Sequence, residues 1–206
     1  MNTYIYIHVC CINNWKEIFG KLLSDIRASG LYDKVTKIRC SLLYTVEDFT
    51  IFIDPKIEII YKSTILSLYE TPTINILYED ALKENFNVLY LHTKGVKHNG
   101  MNPHVTDWVN YMSYFNIYKH ELCLEMLKAN DAVGVNLHIT PAHFSGNFWW
   151  SKSEHLRKLS PCIYDKYISP ELWVACVKGN YKELWNSGVN HYYFPYKEAN
   201  YLRPPT

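Results

Sequence analysis

Asn87-Val88-Leu89-Tyr90-Leu91-His92-Thr93-Lys94-Gly95-Val96 reads as a buried strand that stops abruptly in a polar turn. Val88 to Leu91 is a short apolar run of β-favouring residues, the pattern of a central strand covered on both faces. His92, Thr93 and Lys94 follow, with no apolar neighbour before Val96. In open α/β sheets, ligands bind just beyond the carboxyl ends of the strands. This stretch therefore predicts both the centre of a sheet and the floor of a ligand site. A plain surface loop after a core strand is the competing reading.

The flanking sequence supplies the rest of an α/β domain. Tyr4 to Cys11 reads as a first strand, broken by Asn13-Asn14. Trp15 to Ala28 places Trp15, Ile18, Phe19, Leu22, Leu23 and Ile26 on one helical face, and Gly30 ends that helix. Lys37–Tyr44 and Ile57–Tyr61 read as further strands, so the chain opens as a Rossmann-like sheet. No G-x-G-x-x-G follows the first strand, which argues against a dehydrogenase. Pro72 to Glu84 reads as a helix, and Thr106 to Lys128 as one long helix. Asp131–Asn136 reads as a short strand, and Phe144–Trp150 as a strand-like run with Gly146 inside it. Ser151–Leu159 reads as a helix with Ser151 and Glu154 in capping-box spacing, and a last helix runs from Ser169 to about Lys178. The aromatic tail from Asn190 is expected to pack back over the sheet.

The chain of 206 residues is long enough for one domain with a substantial core, and one domain over 1–206 is expected. Arg203-Pro204-Pro205 reads as a linker, which leaves room for this domain to be the N-terminal module of a longer polypeptide. A net charge of +1 gives no polyelectrolyte field and argues against a nucleic-acid binder. The six cysteines show no metal-ligand spacing and read as buried free thiols of a reducing compartment. No run approaches the length of a membrane span, and the N-terminus lacks the basic region of a signal peptide. A cytoplasmic protein is expected, in host cytoplasm if the chain is viral. Eighteen Tyr and six Trp are an aromatic excess of the kind that grips sugars and bases, beside the plainer reading of a Tyr-rich core.

Three polar clusters carry candidate chemistry. At the end of the first strand, His8, Cys10, Cys11 and Asn13 form a polar cluster whose backbone groups could hold a nucleobase, with a strand simply running into a turn as the equal alternative. At the central strand end, His92, Thr93 and Lys94 are followed by Lys97 and His98. A lysine there neutralises a diphosphate as a point charge, and this is preferred to a metal site because the histidine spacing matches no zinc pattern. The third cluster joins Pro141–Trp150 with Ser169–Trp173. Strand alternation would set Ser145, Asn147 and Trp149 on one face, offering a sugar hydrogen bonds and a flat apolar surface, with Trp173 nearby.

Leu-Tyr-Leu-His-Thr-Lys-Gly, the helix with Trp108, Asp-Ala-Val-Gly-Val-Asn and His-Phe-Ser-Gly-Asn-Phe-Trp-Trp together resemble a group of small glycosyltransferases. These occur in large DNA viruses of algae and in bacterial polysaccharide clusters, and the resemblance spans Tyr4 to about Trp173. It implies a single Rossmann-like GT-A domain, a central mixed sheet flanked by helices, and transfer from a nucleotide sugar, usually a UDP-sugar, to a saccharide acceptor. Phe144–Asn147 resembles the Phe-Asn-x-Gly strand of retaining enzymes, which implies retention. His8, Val9, Cys10, His92, Thr93 and Lys94 are then donor-binding, and Ser145, Trp149 and Trp173 acceptor-binding. Asn147 faces the sugar, and Glu171 or His143 serves as base or charge stabiliser. Glu171 near a helix start is equally a dipole partner. The resemblance also implies Mn²⁺ or Mg²⁺, held by Asp-x-Asp where this chain has His92-Thr93-Lys94. Either Lys94 supplies that charge or another acid such as Asp54 supplies a ligand. A silent carbohydrate- or nucleotide-binding module of the same fold is the alternative function.

Overall fold

A computed structural model describes residues 1–163 and 167–202. The strands are β1 (Asn2–Cys11), β2 (Lys37–Tyr44), β3 (Ile57–Ser63), β4 (Phe86–His92), β5 (Ala132–Gly134), β6 (Leu137–Ile139), β7 (Ala142–Phe144), β8 (Trp149–Lys152) and β9 (Tyr181–Glu183). The helices are α1 (Trp15–Ala28), α2 (Leu31–Lys34), α3 (Thr71–Lys83), α4 (Pro103–Ser113), α5 (His120–Leu127), α6 (Ser153–Leu156) and α7 (Ser169–Leu172). Seven strands form one mixed sheet in the order β3-β2-β1-β4-β8-β5-β9, and β6 and β7 form a separate hairpin. The α/β class and the sheet flanked by helices agree with the sequence.

The organising strand behaves as its composition dictates. Val88, Leu89, Tyr90 and Leu91 are all fully buried. Side chains alternate across a strand, so the sheet separates two apolar layers. Ile5, Ile7, Val9, Leu89 and Leu91 pack with Phe19 and Leu22 of α1 and with Trp108 and Met112 of α4. Tyr4, Tyr6, Val88 and Tyr90 pack with Ile74 and Leu77 of α3 and with Leu156 of α6. β1 pairs in parallel with both β2 and β4. Strand order reverses beside β1: the chain steps outward through β2 and β3, then crosses back to place β4 on the other side. That reversal is the switch point at which open α/β sheets leave a crevice.

Several local readings are corrected. The helix expected over Thr106–Lys128 is α4 and α5 joined by a π-helical turn at Tyr114–Tyr118. There Lys119 N–H reaches the Tyr114 carbonyl, and the displaced Asn116 carbonyl accepts from Trp150 Nε1. Phe144–Trp150 is not a strand. β7 ends at Phe144, and Gly146 and Asn147 turn the chain with positive φ before β8 begins. The expected capping box fails because Ser151 and Lys152 belong to β8 and pair with β4. Ser151 Oγ instead donates to the Asp131 carbonyl, and Ser153 Oγ accepts the Phe86 N–H at 3.0 Å. The last helix is shorter than expected: α7 ends at Leu172 and a 3₁₀ turn covers Trp173–Ala175. The tail packs on α4 rather than on the sheet, with Tyr196 and Tyr201 against Tyr111. Cys176 is exposed, whereas Cys11, Cys40, Cys123 and Cys162 are buried. The Arg203-Pro204-Pro205 segment lies outside the described residues. Among the described residues no helix is long and apolar enough to cross a membrane.

The Ser153–Phe86 bond ties the start of β4 to α6, and both groups are fully buried. Removing one partner leaves a buried N–H without an acceptor, at a cost of about 1–3 kcal/mol. Ser153→Ala is expected to lower the unfolding free energy in urea by that amount. An unchanged midpoint and slope would contradict this account of the bond.

Candidate functional site

The ends of β1 and β4 are held in register, with His8 opposite His92. Beyond the strands, Thr93 N–H donates to the His8 carbonyl and Cys10 N–H donates to Thr93 Oγ1, both at 3.0 Å. Lys94 N–H folds back onto the His92 carbonyl at 2.7 Å, and Gly95 turns the chain with a φ of 95° that L-residues rarely adopt. Asn13 Nδ2 then clamps the Val96 carbonyl. These bonds fix the polar turn over the strand ends.

A cleft of about 530 Å³ opens there, lined by His8 and Cys10, by Glu70, by the turn from His92 to His98, and by Tyr69, Tyr167 and Tyr192. Tyr69 holds φ 46° and ψ −140°, a conformation close to glycine-only territory, immediately before Glu70. Such strain concentrates at functional sites.

Lys94 is the unusual group. Its ammonium lies 3.9 Å from the centre of the Trp108 ring and 6.0 Å from that of Tyr192. Among the described residues no carboxylate forms an ion pair with it. Burial pushes its pKa down, while the Glu171 and Glu70 carboxylates pull it up and Lys97 pushes it down further. A half-buried cation seated on aromatic faces, with two carboxylates near it and neither paired to it, is short of counter-charge.

Two histidines line the floor as neutral rings. Burial, with Lys94 adding to it, holds His92 down to about 3. His92 Nε2 lies 3.0 Å from the Gly146 carbonyl, which can only accept, so Nε2 carries the proton. Burial holds His8 down to about 4, and its Nδ1 contacts Thr73 Oγ1.

Glu70 is the site residue that the sequence reading missed. Tyr90 OH and Asn147 Nδ2 both donate to its Oε2 at 2.7 Å, and its Oε1 lies 3.8 Å from His92 Nδ1. In sequence it is only an acid before Thr71-Pro72 at a helix start. No local pattern marks that two buried donors from β4 and from the Gly146 turn converge on it.

The Gly146 turn links both walls. Its carbonyl accepts from His92, while its N–H donates to Glu171 Oε1 at 2.6 Å. A side chain at this position would collide with Met112 Sδ and press on the Trp108 ring, so the turn requires glycine. Glu171, His143 and Ser145 line a second cavity of about 470 Å³ that shares Tyr192 with the cleft.

Of the expected site residues, His8, Cys10, His92, Thr93 and Lys94 come together in the cleft, and Asn147 reaches it through Glu70. His143 stands apart on the β6–β7 hairpin, its Nδ1 on the Pro141 carbonyl and its ring stacked on His138. The Val9 side chain is buried on the opposite face of β1 from His8, which leaves its backbone as the part of it that stands at the strand end. Trp149 and Trp173 are corrected. Both are buried, Trp149 stacks on Tyr90, its Nε1 donates to Asn147 Oδ1, and Trp173 Nε1 donates to the Ser160 carbonyl. Neither presents an open face for a sugar. Asp54 is corrected too. It lies before β3, at the amino end of the sheet, and is consumed by Arg27, Tyr32 and the Lys56 N–H.

The chain matches no protein-family model, no curated protein and no solved structure.

The neutral histidines carry a pH signature. Unfolding returns an imidazole to its ordinary range near about 6.5. Between that value and the native pKa of about 3 for His92, the unfolded chain binds the extra proton. Stability is therefore full above the ordinary range and falls as pH drops through the window. His92→Gln, which keeps an N–H donor toward Gly146, is expected to flatten the slope of unfolding free energy against pH by up to about 1.4 kcal/mol per pH unit. A slope identical to wild type below pH 6 would contradict a neutral His92.

Proposed function

We propose that this chain is a glycosyltransferase of GT-A type that takes a sugar from a nucleotide sugar, with a UDP-sugar as donor, to a saccharide acceptor. The observation that carries the proposal is the ammonium of half-buried Lys94, seated on Trp108 without a carboxylate partner among the described residues, in a cleft at the β1/β4 switch point. The resemblance of the Leu-Tyr-Leu-His-Thr-Lys-Gly and His-Phe-Ser-Gly-Asn-Phe-Trp-Trp stretches to small glycosyltransferases supports the same reading.

Sugar transfer asks the protein to stabilise the charge that develops on the leaving diphosphate and to aim an acceptor hydroxyl at the anomeric carbon. In this proposal Lys94 meets the diphosphate, leaving its aromatic seat for charge-assisted hydrogen bonds. Neutral His92 and Thr93 hold the turn that carries it. Glu70, oriented by Tyr90 and Asn147, offers negative charge to an oxocarbenium-like sugar. Glu171 reaches the same region through the Gly146 turn.

The strand end does not fit a hard divalent cation. Such ions take several oxygen ligands, and here the turn presents an ammonium, while Glu70 is engaged by two donors. Among the described residues no three His, Cys, Asp or Glu side chains converge as a metal site. The proposal therefore routes no step through a metal and gives the charge-neutralising role to Lys94.

Calorimetric titration with UDP in the presence of EDTA tests this reading. Wild type is expected to bind. Lys94→Ala is expected to bind about ten- to a hundredfold more weakly, the loss of one charge-assisted hydrogen bond. Lys94→Arg is expected to recover part of the loss, because a planar fork replaces a point charge. Equal affinity of wild type and Lys94→Ala would refute the role of Lys94. Tight UDP-sugar binding with no hydrolysis or transfer would favour the silent binding module instead.

A further inference from the structure

Lys97 and His98 line the cleft together with Lys94, on the 3₁₀ turn Val96–His98 that Gly95 opens and that Asn13 clamps through the Val96 carbonyl. Backbone bonds hold this turn: His98 N–H donates to the Gly95 carbonyl and Met101 N–H to the His98 carbonyl, both at 2.9 Å. The side chains have no such ties. Lys97 is exposed, and its ammonium lies 5.8 Å from the centre of the Tyr167 ring. Among the described residues neither Lys97 nor His98 forms a side-chain hydrogen bond or an ion pair, and neither ring nitrogen of half-buried His98 is closed off from solvent. One wall of the cleft thus carries three basic groups, Lys94, Lys97 and His98, none of them paired with a carboxylate.

Like charges gathered in this way repel one another until an anion joins them. Burial, then the Lys97 and Lys94 ammonium groups, hold the His98 pKa below the ordinary histidine value. His98 shares the cleft with Glu70 and with neutral His8 and His92; the Cys10 thiol and the Tyr69, Tyr167 and Tyr192 hydroxyls complete its titratable groups. On its other side His98 lines a cavity between α1 and α4 with Glu17, Lys21 and Asp25. Each of these acids is engaged elsewhere: Glu70 by Tyr90 and Asn147, Glu17 by Asn14, Asp25 by Lys21 and Tyr118. The charges that act on His98 are the two lysines alone.

We propose that Lys97 and His98 complete the anion site begun by Lys94, and that His98 meets an entering diphosphate as a neutral ring and then takes a proton from solvent. The proton ends on a ring nitrogen, which becomes a charge-assisted donor to a phosphate oxygen. Binding and protonation are then linked. Affinity rises as pH falls through the range in which the free ring is neutral, and levels off once the free ring is already charged. The naming of the ligand as a nucleotide rests on the transferase reading. The three-cation site and its proton do not.

The test is calorimetric titration of the whole chain with UDP in EDTA, at about pH 7.5, where the terminal phosphate of the ligand is already ionised. It is run in PIPES and in Tris, buffers of low and high ionisation enthalpy. The two observed enthalpies are expected to differ with the sign of proton uptake, and the difference is expected to vanish in His98→Gln, which stays polar and cannot be charged. His98→Gln is expected to bind UDP about tenfold more weakly than wild type at about pH 6.5, the scale of one charge-assisted hydrogen bond, and equally at about pH 8.5. Lys97→Ala is expected to bind more weakly at both, because its loss does not depend on the His98 proton. Inorganic pyrophosphate, which carries neither base nor sugar, is titrated alongside for affinity and is expected to show the same dependence on His98. Absence of a buffer effect on UDP binding in wild type, or an equal effect in His98→Gln, would overturn the inference and leave the Lys94 reading standing. Pyrophosphate bound with a His98-dependent loss, but no UDP bound, would overturn the nucleotide reading and keep the anion site. Binding of neither would overturn both.

Discussion

Parallel pairing of β1 with β4 is the constraint on which the rest depends. It makes the strand order reverse beside β1 and sends α1 and α3 to opposite faces of the sheet. The chain must then leave a gap above the two strand ends, and the residues that follow each strand become neighbours. His8 and His92 meet because they are register partners, and Thr93 can bond to Cys10 only because the strands run the same way. A one-residue slip would turn every side chain to the other face. It would drive Val88 and Tyr90 into the layer that holds Leu89 and Leu91 and part His8 from His92, so the packing of β4 against both layers fixes the geometry of the site.

The site is built around an electrostatic imbalance. A cation drawn partly out of water ordinarily has a paired acid. Lys94 has ring faces, and the nearest acids are committed elsewhere: Glu70 to Tyr90 and Asn147, Glu171 to the Gly146 N–H. Those acids draw the Lys94 pKa back up against burial without pairing with it. The Gly146 turn is the mechanical partner of this arrangement, because one peptide segment holds His92 through its carbonyl and Glu171 through its amide. The wall of the cleft and the wall of the second cavity therefore share a single support.

Most of the fold was legible in the sequence because hydrophobic periodicity reports burial directly. β1, α1, β2 and β4 stand within a few residues of their expected limits, and the organising strand is as buried as its composition demands. The region after Phe144 was misread for a physical reason. Alternation of aromatics imitates a strand, whereas Gly146 and Asn147 in positive φ make a turn that sends Trp149 inward. Trp149 and Trp173 looked like sugar platforms because composition cannot tell a core indole from an exposed one. The π turn at Tyr114–Tyr118 leaves the helical pattern of its neighbours intact and so carries no signal of its own. Glu70 was invisible for a different reason: its role comes from partners 20 and 77 positions away.

The most direct measurement is a crystal structure of the protein grown with UDP. The account predicts the diphosphate in the cleft above β1 and β4, with Lys94 Nζ lifted from the Trp108 ring to within about 2.7–3.2 Å of a phosphate oxygen. A nucleotide bound elsewhere, or a diphosphate in the cleft with Lys94 still seated on Trp108, would contradict it.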